Sequence, residues 1–121
     1  MADRRLDDRV PDEIPALLAR EPGDPEVQAA MVRNLSDGGA CAAAHVAPMV
    51  GSEIYVGFFL EGFGGVPIIA KARVAWTKPS GGGHLVGLSY RGESPAQREA
   101  VAKMRAYLAS RRRELLALPT A

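Results

Sequence analysis

Cysteine is almost absent from this sequence: Cys41 is the single one among 121 residues. An internal disulfide is therefore impossible, which fits a reducing compartment. No apolar run reaches the roughly 18 residues that a transmembrane helix needs, so no membrane partner is expected. The charged start of the chain has no apolar stretch behind it, which predicts that there is no signal peptide. Together these absences predict a cytoplasmic protein.

A large charge of one sign is missing as well. The formal net charge is +1, which argues against a general nucleic-acid coat or a polybasic membrane-surface protein. Hydrophobic residues make up 47% and charged residues 24% of the chain, as in an ordinary globular protein of one domain. The 13 glycines and 9 prolines follow no period, which indicates many turns rather than a fibrous fold.

Groups that bind metals or perform catalysis are scarce. His45 and His84 lie far apart in the sequence, and the one cysteine has no ligand spacing to either, so no metal site is expected. Ser36 is not in a nucleophile-elbow sequence, and the glycine run at 62–65 lacks the Lys and Ser/Thr of a phosphate loop. We therefore expect neither an enzyme nor a resident cofactor.

Strand-like segments occupy most of the chain. Apolar and polar residues alternate over 53–61 and 70–77, and 85–90 is largely apolar, which is typical of β-strands. Residues 26–33 are interpreted as a further strand. Residues 14–19 are rich in Ala and Leu, so a helix competes with a strand there.

The strand over 70–77 leads into a glycine-rich hairpin at 79–83. Its alternation groups Trp76 with Ala72 and Val74. Trp76 is therefore expected to fill the interior of the fold, with a position beside a ligand as the alternative.

A helix is predicted at the end of the chain. Ser94 supplies an N-cap, Pro95 the first helical position and Gln97 a capping box. The segment 98–114 contains six basic and two acidic residues, and the arginine run at 111–113 is interpreted as a solvated helix end. Strands with glycine-rich turns followed by one helix favour an antiparallel barrel that the helix plugs or flanks.

Arginines are concentrated near the start of the chain. Arg5 and Arg9 have an Arg-x-x-x-Arg spacing, and Arg4 is a third basic residue beside them. An arginine fork can bind O6 and N7 of guanine or a phosphate, and it can stack on a purine. Asp7 and Asp8 place two carboxylates between the arginines, which would oppose binding of an anion.

The second polar segment follows the strand over 26–33 and reads Asn-x-Ser-x-x-Gly. The side-chain oxygen of Asn34 can accept hydrogen bonds from N1–H and N2–H₂ of guanine, and the Ser36 hydroxyl can add another contact. Gly38 and Gly39 allow the backbone to approach a ligand closely and to adopt a positive φ.

With both segments in this order, the chain resembles a PilZ domain, the bacterial receptor module for cyclic di-GMP. The resemblance extends over the strands at 72–76 and 86–90 and over the closing helix. It implies an all-β fold with a C-terminal helix: a six-stranded antiparallel barrel of the split type. Residues 1–13 would form an arginine-bearing arm, residues 14–93 the barrel and residues 94–118 the helix of the same domain.

The resemblance also implies a function. Cyclic di-GMP would be bound by the residues of both motifs: Arg4, Arg5, Arg9, Asn34, Ser36, Gly38 and Gly39. Binding would order the arm over the barrel rim, and occupancy would pass to an unidentified output protein or to a homodimer. Such modules control motility, exopolysaccharide production, biofilm formation and virulence.

An alternative of another class is a PilZ-fold adaptor that binds a protein partner without nucleotide. Its docking surface would be the end of the helix, with Tyr107, Leu115, Leu116 and Leu118. The intact motif favours the receptor over the adaptor.

Overall fold

The computed structural model describes residues 10–91 and 94–117, which contain six strands and one helix. The strands are β1 (Val10–Ala19), β2 (Gln28–Ser36), β3 (Gly39–Ala44), β4 (Glu53–Phe58), β5 (Ile68–Ser80) and β6 (Gly83–Tyr90), and the helix is α1 (Pro95–Ala117). The strands form a closed barrel in the order β1-β2-β3-β6-β5-β4, with every neighbouring pair antiparallel. The predicted six-stranded antiparallel barrel with a C-terminal helix is confirmed.

Residues 14–19, for which the sequence left helix and strand open, belong to strand β1. Ile14, Ala16 and Leu18 point into the barrel and are buried, which is the two-residue period of a strand between two partners. The strand begins at Val10, so residues 10–13 belong to the barrel although we expected them in the arm. The rest of the arm, residues 1–9, lies outside the described residues.

Strand β3 was not anticipated from the sequence, because Gly and Ala have low strand propensity. It lies between β2 and β6, where Ala40, Ala42 and Ala44 face the core and are buried. Small side chains suit this position, because the inward face is shared with large residues such as Leu35 and Phe58.

The hairpin between β5 and β6 is tighter than the sequence suggested. Pro79 and Ser80 still pair with β6, which leaves Gly81 and Gly82 as a two-residue turn. Their φ values are 52° and 83°. Two central residues with positive φ are what a type I′ turn requires, and glycine adopts them without strain.

Helix α1 closes the barrel through three buried residues, Ala100, Met104 and Leu108. Its N-cap is confirmed, because the Gln97 backbone N–H donates to Ser94 Oγ at 3.1 Å. The expected capping box is wrong. The Gln97 side chain instead accepts from the Lys71 N–H at 2.7 Å and donates to the Lys71 carbonyl at 2.6 Å, which ties the start of the helix to β5.

No helix within these two ranges is long and apolar enough to cross a membrane.

Candidate functional site

A β-bulge in β2 turns Asn34 to the outer face of the barrel. Val32 pairs with Ala42, but Asn34 pairs with Cys41, so Arg33 is an extra residue in β2. Because strand side chains alternate with a period of two, one extra residue reverses which face the next side chain occupies. Asn34 is therefore half-buried on the outside of the barrel rather than in its core.

A second bulge, in β5, does the same for Trp76. Val74 pairs with Leu88 and Trp76 pairs with Gly87, which leaves Ala75 as the extra residue. Trp76 is 37% exposed, so the expectation that it fills the barrel is wrong. The alternation that supported that expectation is broken by the bulge.

The two bulges align a row of residues across four strands: Asn34, Cys41, Gly87 and Trp76 are successive cross-strand neighbours. A Cβ at position 87 would collide with the indole of Trp76. Glycine at this position therefore lets the indole lie over β6. The result is a pocket of about 290 Å³ on the outer face, with Trp76 at one side and Asn34 at the other.

The turn between β2 and β3 supplies the other motif residues to this pocket. Ser36, Gly38 and Gly39 all line it with Asn34. Ser36 Oγ donates to the Gly39 carbonyl at 3.4 Å, a long hydrogen bond that leaves the hydroxyl available to a ligand.

Neither Gly38 nor Gly39 has a positive φ, so that part of the sequence argument is wrong. Glycine is needed at position 39 because β3 and β6 approach each other closely there. A Cβ on Gly39 would collide with the carbonyl oxygen of Leu88 on β6. A Cβ on Gly38 would meet nothing within 4 Å, so Gly38 faces open space.

The described part of β1 runs beside this segment. Val10 pairs with Leu35 and Pro11 pairs with Asn34. Arg4, Arg5 and Arg9, the three arginines of the expected arm, precede Val10 in the chain and lie outside the described residues. The structure thus starts β1 next to Asn34, immediately after the arginine motif in the sequence.

Helix α1 also contacts the turn between β2 and β3. Arg105 Nε donates to the Asp37 carbonyl at 2.9 Å. An Arg112 guanidinium nitrogen lies 3.5 Å from the Asp37 carboxylate.

The same helix contacts β1 through Asp12. The Tyr107 hydroxyl donates to Asp12 Oδ2 at 2.8 Å, and Arg111 Nε lies 3.2 Å from the same oxygen. Burial, together with the hydrogen bond to Asp12, raises the pKa of Tyr107 to about 12. The interpretation of 111–113 as a merely solvated end is wrong for Arg111 and Arg112, because both pair with barrel carboxylates.

A larger groove of about 600 Å³ adjoins the pocket and shares Asn34 and Cys41 with it. Arg33 and His84 lie along the groove, and His84 Nδ1 is 3.2 Å from the His45 carbonyl. Among the described residues no three His, Cys, Asp or Glu side chains are grouped to hold a metal ion. On this outer face, polar side-chain and backbone groups thus lie beside the exposed Trp76 indole.

Comparisons with known proteins agree with this fold. The family profile described as PilZ domain matches residues 3–109. The chain is similar to the PilZ domain of CeSA from a cellulose-synthesizing bacterium, with a TM-score of 0.56 and 20% identity over 79% of this chain and 92% of that one. It is similar to the PilZ domain with c-di-GMP of YcgR from Escherichia coli, with a TM-score of 0.62 and 13% identity over 89% of this chain and 93% of that one.

A third solved structure, the Bacillus subtilis inhibitor of motility MotI/DgrA, gives a TM-score of 0.66 and 18% identity over 92% of this chain and 51% of that one. This chain therefore spans about half of that protein. At these identities the structural likenesses support the fold alone. No curated protein matches the sequence.

Proposed function

The chain belongs to the PilZ domain family, and on that premise we propose that it is a receptor for cyclic di-GMP that acts by binding, without catalysis or a cofactor. The observation that carries the proposal is the pocket on which Asn34, Ser36, Gly38 and Gly39 converge beside Trp76. A solved PilZ domain of similar fold, that of YcgR, is described with c-di-GMP.

Each side of the pocket has a chemical role in this proposal. The Asn34 carboxamide oxygen accepts from the N1–H and N2–H₂ of one guanine. Ser36 donates to the base or to a phosphate oxygen, and the open space at Gly38 admits the ligand to the backbone. The exposed Trp76 indole offers a face on which a purine stacks.

Arg4, Arg5 and Arg9 complete the proposed site as the guanidinium groups that bind the guanine O6 and N7 edge and the phosphates. The proposal is supported by the start of β1, where Pro11 pairs with Asn34 two residues after Arg9 in the sequence. Asp7 and Asp8 remain the residues that we expect to weaken binding of a dianion.

We further propose that occupancy is relayed to an output protein in a bacterial cytoplasm, with motility, exopolysaccharide production or biofilm formation as the controlled process. Two structural relatives favour this range of outputs. One is described as an inhibitor of motility, and the other comes from a cellulose-synthesizing bacterium.

A second candidate function, a nucleotide-independent adaptor, is favoured by an apolar surface on the far side of the barrel. Leu17, Gly57 and Ile69 are cross-strand neighbours on β1, β4 and β5, and Leu17 and Ile69 are 38% and 59% exposed. Val27 adjoins them around a hollow of about 330 Å³. Of the docking surface expected at the helix end, Tyr107 packs against the core and its hydroxyl is bonded to Asp12. Leu118 and the side chains of Leu115 and Leu116 lie outside the described residues.

Isothermal titration with cyclic di-GMP, with cyclic di-AMP as the matched ligand, tests the receptor. Adenine lacks the O6 acceptor and the N1–H donor that the proposed site uses, so we expect binding of cyclic di-AMP to be at least about 100-fold weaker. Equal binding of the two ligands, or no binding of either, contradicts the receptor. In the second case the adaptor becomes the better account.

A further inference from the structure

The second half of α1 contacts the Asn-x-Ser-x-x-Gly segment of the proposed nucleotide motif and the start of β1, which follows the arginine segment in the sequence. On one side it reaches Asp37, which lies inside the motif segment 34–39. On the other side it reaches Asp12, three residues after Arg9. The helix residues involved are Arg105, Tyr107, Arg111 and Arg112. None of these four side chains lines the pocket between Asn34 and Trp76.

The contacts with Asp37 use both of its polar groups. Arg105 holds the main-chain carbonyl at 2.9 Å, and Arg112 lies 3.5 Å from the carboxylate. The next carbonyl, that of Gly38, accepts the Tyr90 N–H at 2.9 Å. The turn is therefore fixed from the helix on one side and from the end of β6 on the other.

The contacts with Asp12 are more enclosed. The Asp12 side chain is 14% exposed and binds both the Tyr107 hydroxyl and Arg111. Asp12 follows Pro11, which pairs with Asn34. A displacement of the helix would therefore disturb the start of β1 as well as the turn between β2 and β3.

The attachment of the helix to the barrel does not depend on the Arg112–Asp37 pair. Buried Ala100, Met104 and Leu108, together with the Gln97 bonds to Lys71, supply that attachment. The Arg112–Asp37 pair is solvent-exposed, with side chains 33% and 63% accessible, and such pairs add little to stability. Their position at the motif is thus better explained by an effect on the geometry of the site.

We propose that Arg105 and Arg112, with Tyr107 and Arg111, are positioning residues for the nucleotide site, and that docking of the second half of α1 is coupled to ligand binding. This inference rests on the proposed function. It adds that the second half of α1 responds to ligand binding and can therefore signal occupancy to a partner. Coupling is reciprocal: whatever the docked helix adds to ligand affinity, the ligand adds to helix docking.

The first test compares ligand affinity in a double variant, Arg105→Gln with Arg112→Gln, and in two single variants, Tyr107→Phe and Arg113→Gln. Arg113 is an exposed neighbour on the same helix, so its variant controls for the loss of one positive charge from this helix. We expect the double variant to bind cyclic di-GMP about tenfold more weakly, within the usual range of coupling between sites. We expect the Arg113 control to stay within about twofold of wild type.

The second test needs no ligand and follows amide hydrogen exchange at residues 36–40. We expect faster exchange in the double variant than in the Arg113 control, with melting temperatures that remain similar. If the double variant fails to fold, Tyr107→Phe, which removes one hydroxyl, is measured at residues 10–14 instead. Unchanged exchange in these segments overturns the positioning role.

The two measurements separate this inference from the proposed function. If wild type does not bind cyclic di-GMP, the proposed function is wrong, and hydrogen exchange alone decides whether the helix positions the motif. If wild type binds and the double variant binds equally well, the coupling is overturned. If wild type binds, saturating ligand should also slow exchange at residues 105–112.

Discussion

The indole of Trp76 lies over the backbone of Gly87, so closely that a methyl group on Gly87 would overlap the indole nitrogen. This relationship depends on the bulge at Ala75, which pairs Trp76 with Gly87 and puts the ring outside the barrel. The Trp76 wall of the candidate pocket can therefore form only because residue 87 of the neighbouring strand is glycine.

Gly87→Ala is expected to displace the indole and to weaken cyclic di-GMP binding about tenfold, a loss typical of aromatic stacking. Tryptophan emission should shift in the ligand-free protein, because the ring changes its exposure. The control is Gly57→Ala in β4, where the added Cβ makes an ordinary 3.5 Å contact with Pro67. Wild-type emission and affinity in the Gly87 variant would show that Trp76 does not form the wall.

Substitution by alanine should affect stability differently at the adjacent motif residues Gly38 and Gly39. At Gly39 the new Cβ meets the Leu88 carbonyl, so β3 and β6 must separate and we expect a loss of about 3 kcal/mol or more in the free energy of unfolding. At Gly38 the Cβ has space and φ is not positive, so stability should stay level or rise by up to about 1 kcal/mol. Denaturant unfolding of both variants measures this. Equal stability of the two variants would contradict the distinction.

Asn34 is expected to act as a hydrogen-bond acceptor for guanine. Asn34→Ala should weaken binding by about 2–4 kcal/mol, because a buried partner group loses its acceptor. Asn34→Asp keeps an oxygen in place and should retain more of the affinity than the alanine variant. Titration calorimetry compares the two, and Arg9→Ala should show a loss similar to that of Asn34→Ala. Wild-type affinity in both alanine variants would place the site elsewhere.

Tyr107 should make stability depend on pH in the alkaline range. Its pKa is raised to about 12 by burial and by the hydrogen bond to Asp12, whereas an unfolded tyrosine titrates near pH ~10. The neutral tyrosine therefore favours the folded state below pH ~10, and this contribution is lost as pH rises through about 12.

Tyr107→Phe isolates that contribution, because phenylalanine does not ionise. The difference in unfolding free energy between wild type and the variant should be constant from pH ~8 to pH ~9 and should then shift in favour of the variant as pH rises further. A difference that is independent of pH up to 12 would contradict the raised pKa.

The sequence was most informative where local pattern and structure agree. Alternation located β4 and β5, and an apolar run located β6. Ser94 marked the start of α1, where its hydroxyl accepts from the Gln97 N–H. The Asn34 segment was recognised by residue type and spacing, and the structure brings its polar residues to one pocket. These features depend on a few consecutive residues, which a sequence displays directly.

What the sequence missed depends on pairing between distant segments. The bulges at Arg33 and Ala75 are defined by which residues they face on β3 and β6, so the position of Trp76 could not be read from alternation alone. The same holds for Gln97, whose side chain binds Lys71 on β5. Strand β3 could not be predicted because alanine has low strand propensity. Its alanines suit the strand because the barrel interior has little space for larger side chains.

A fluorescence titration of wild type with cyclic di-GMP tests the central claim most directly, because Trp76 is the single tryptophan of the chain and stands at the pocket. The account predicts a saturable change in emission at micromolar ligand and none with cyclic di-AMP at the same concentrations. Emission that stays flat with cyclic di-GMP to millimolar concentration, together with no heat of binding, would contradict it.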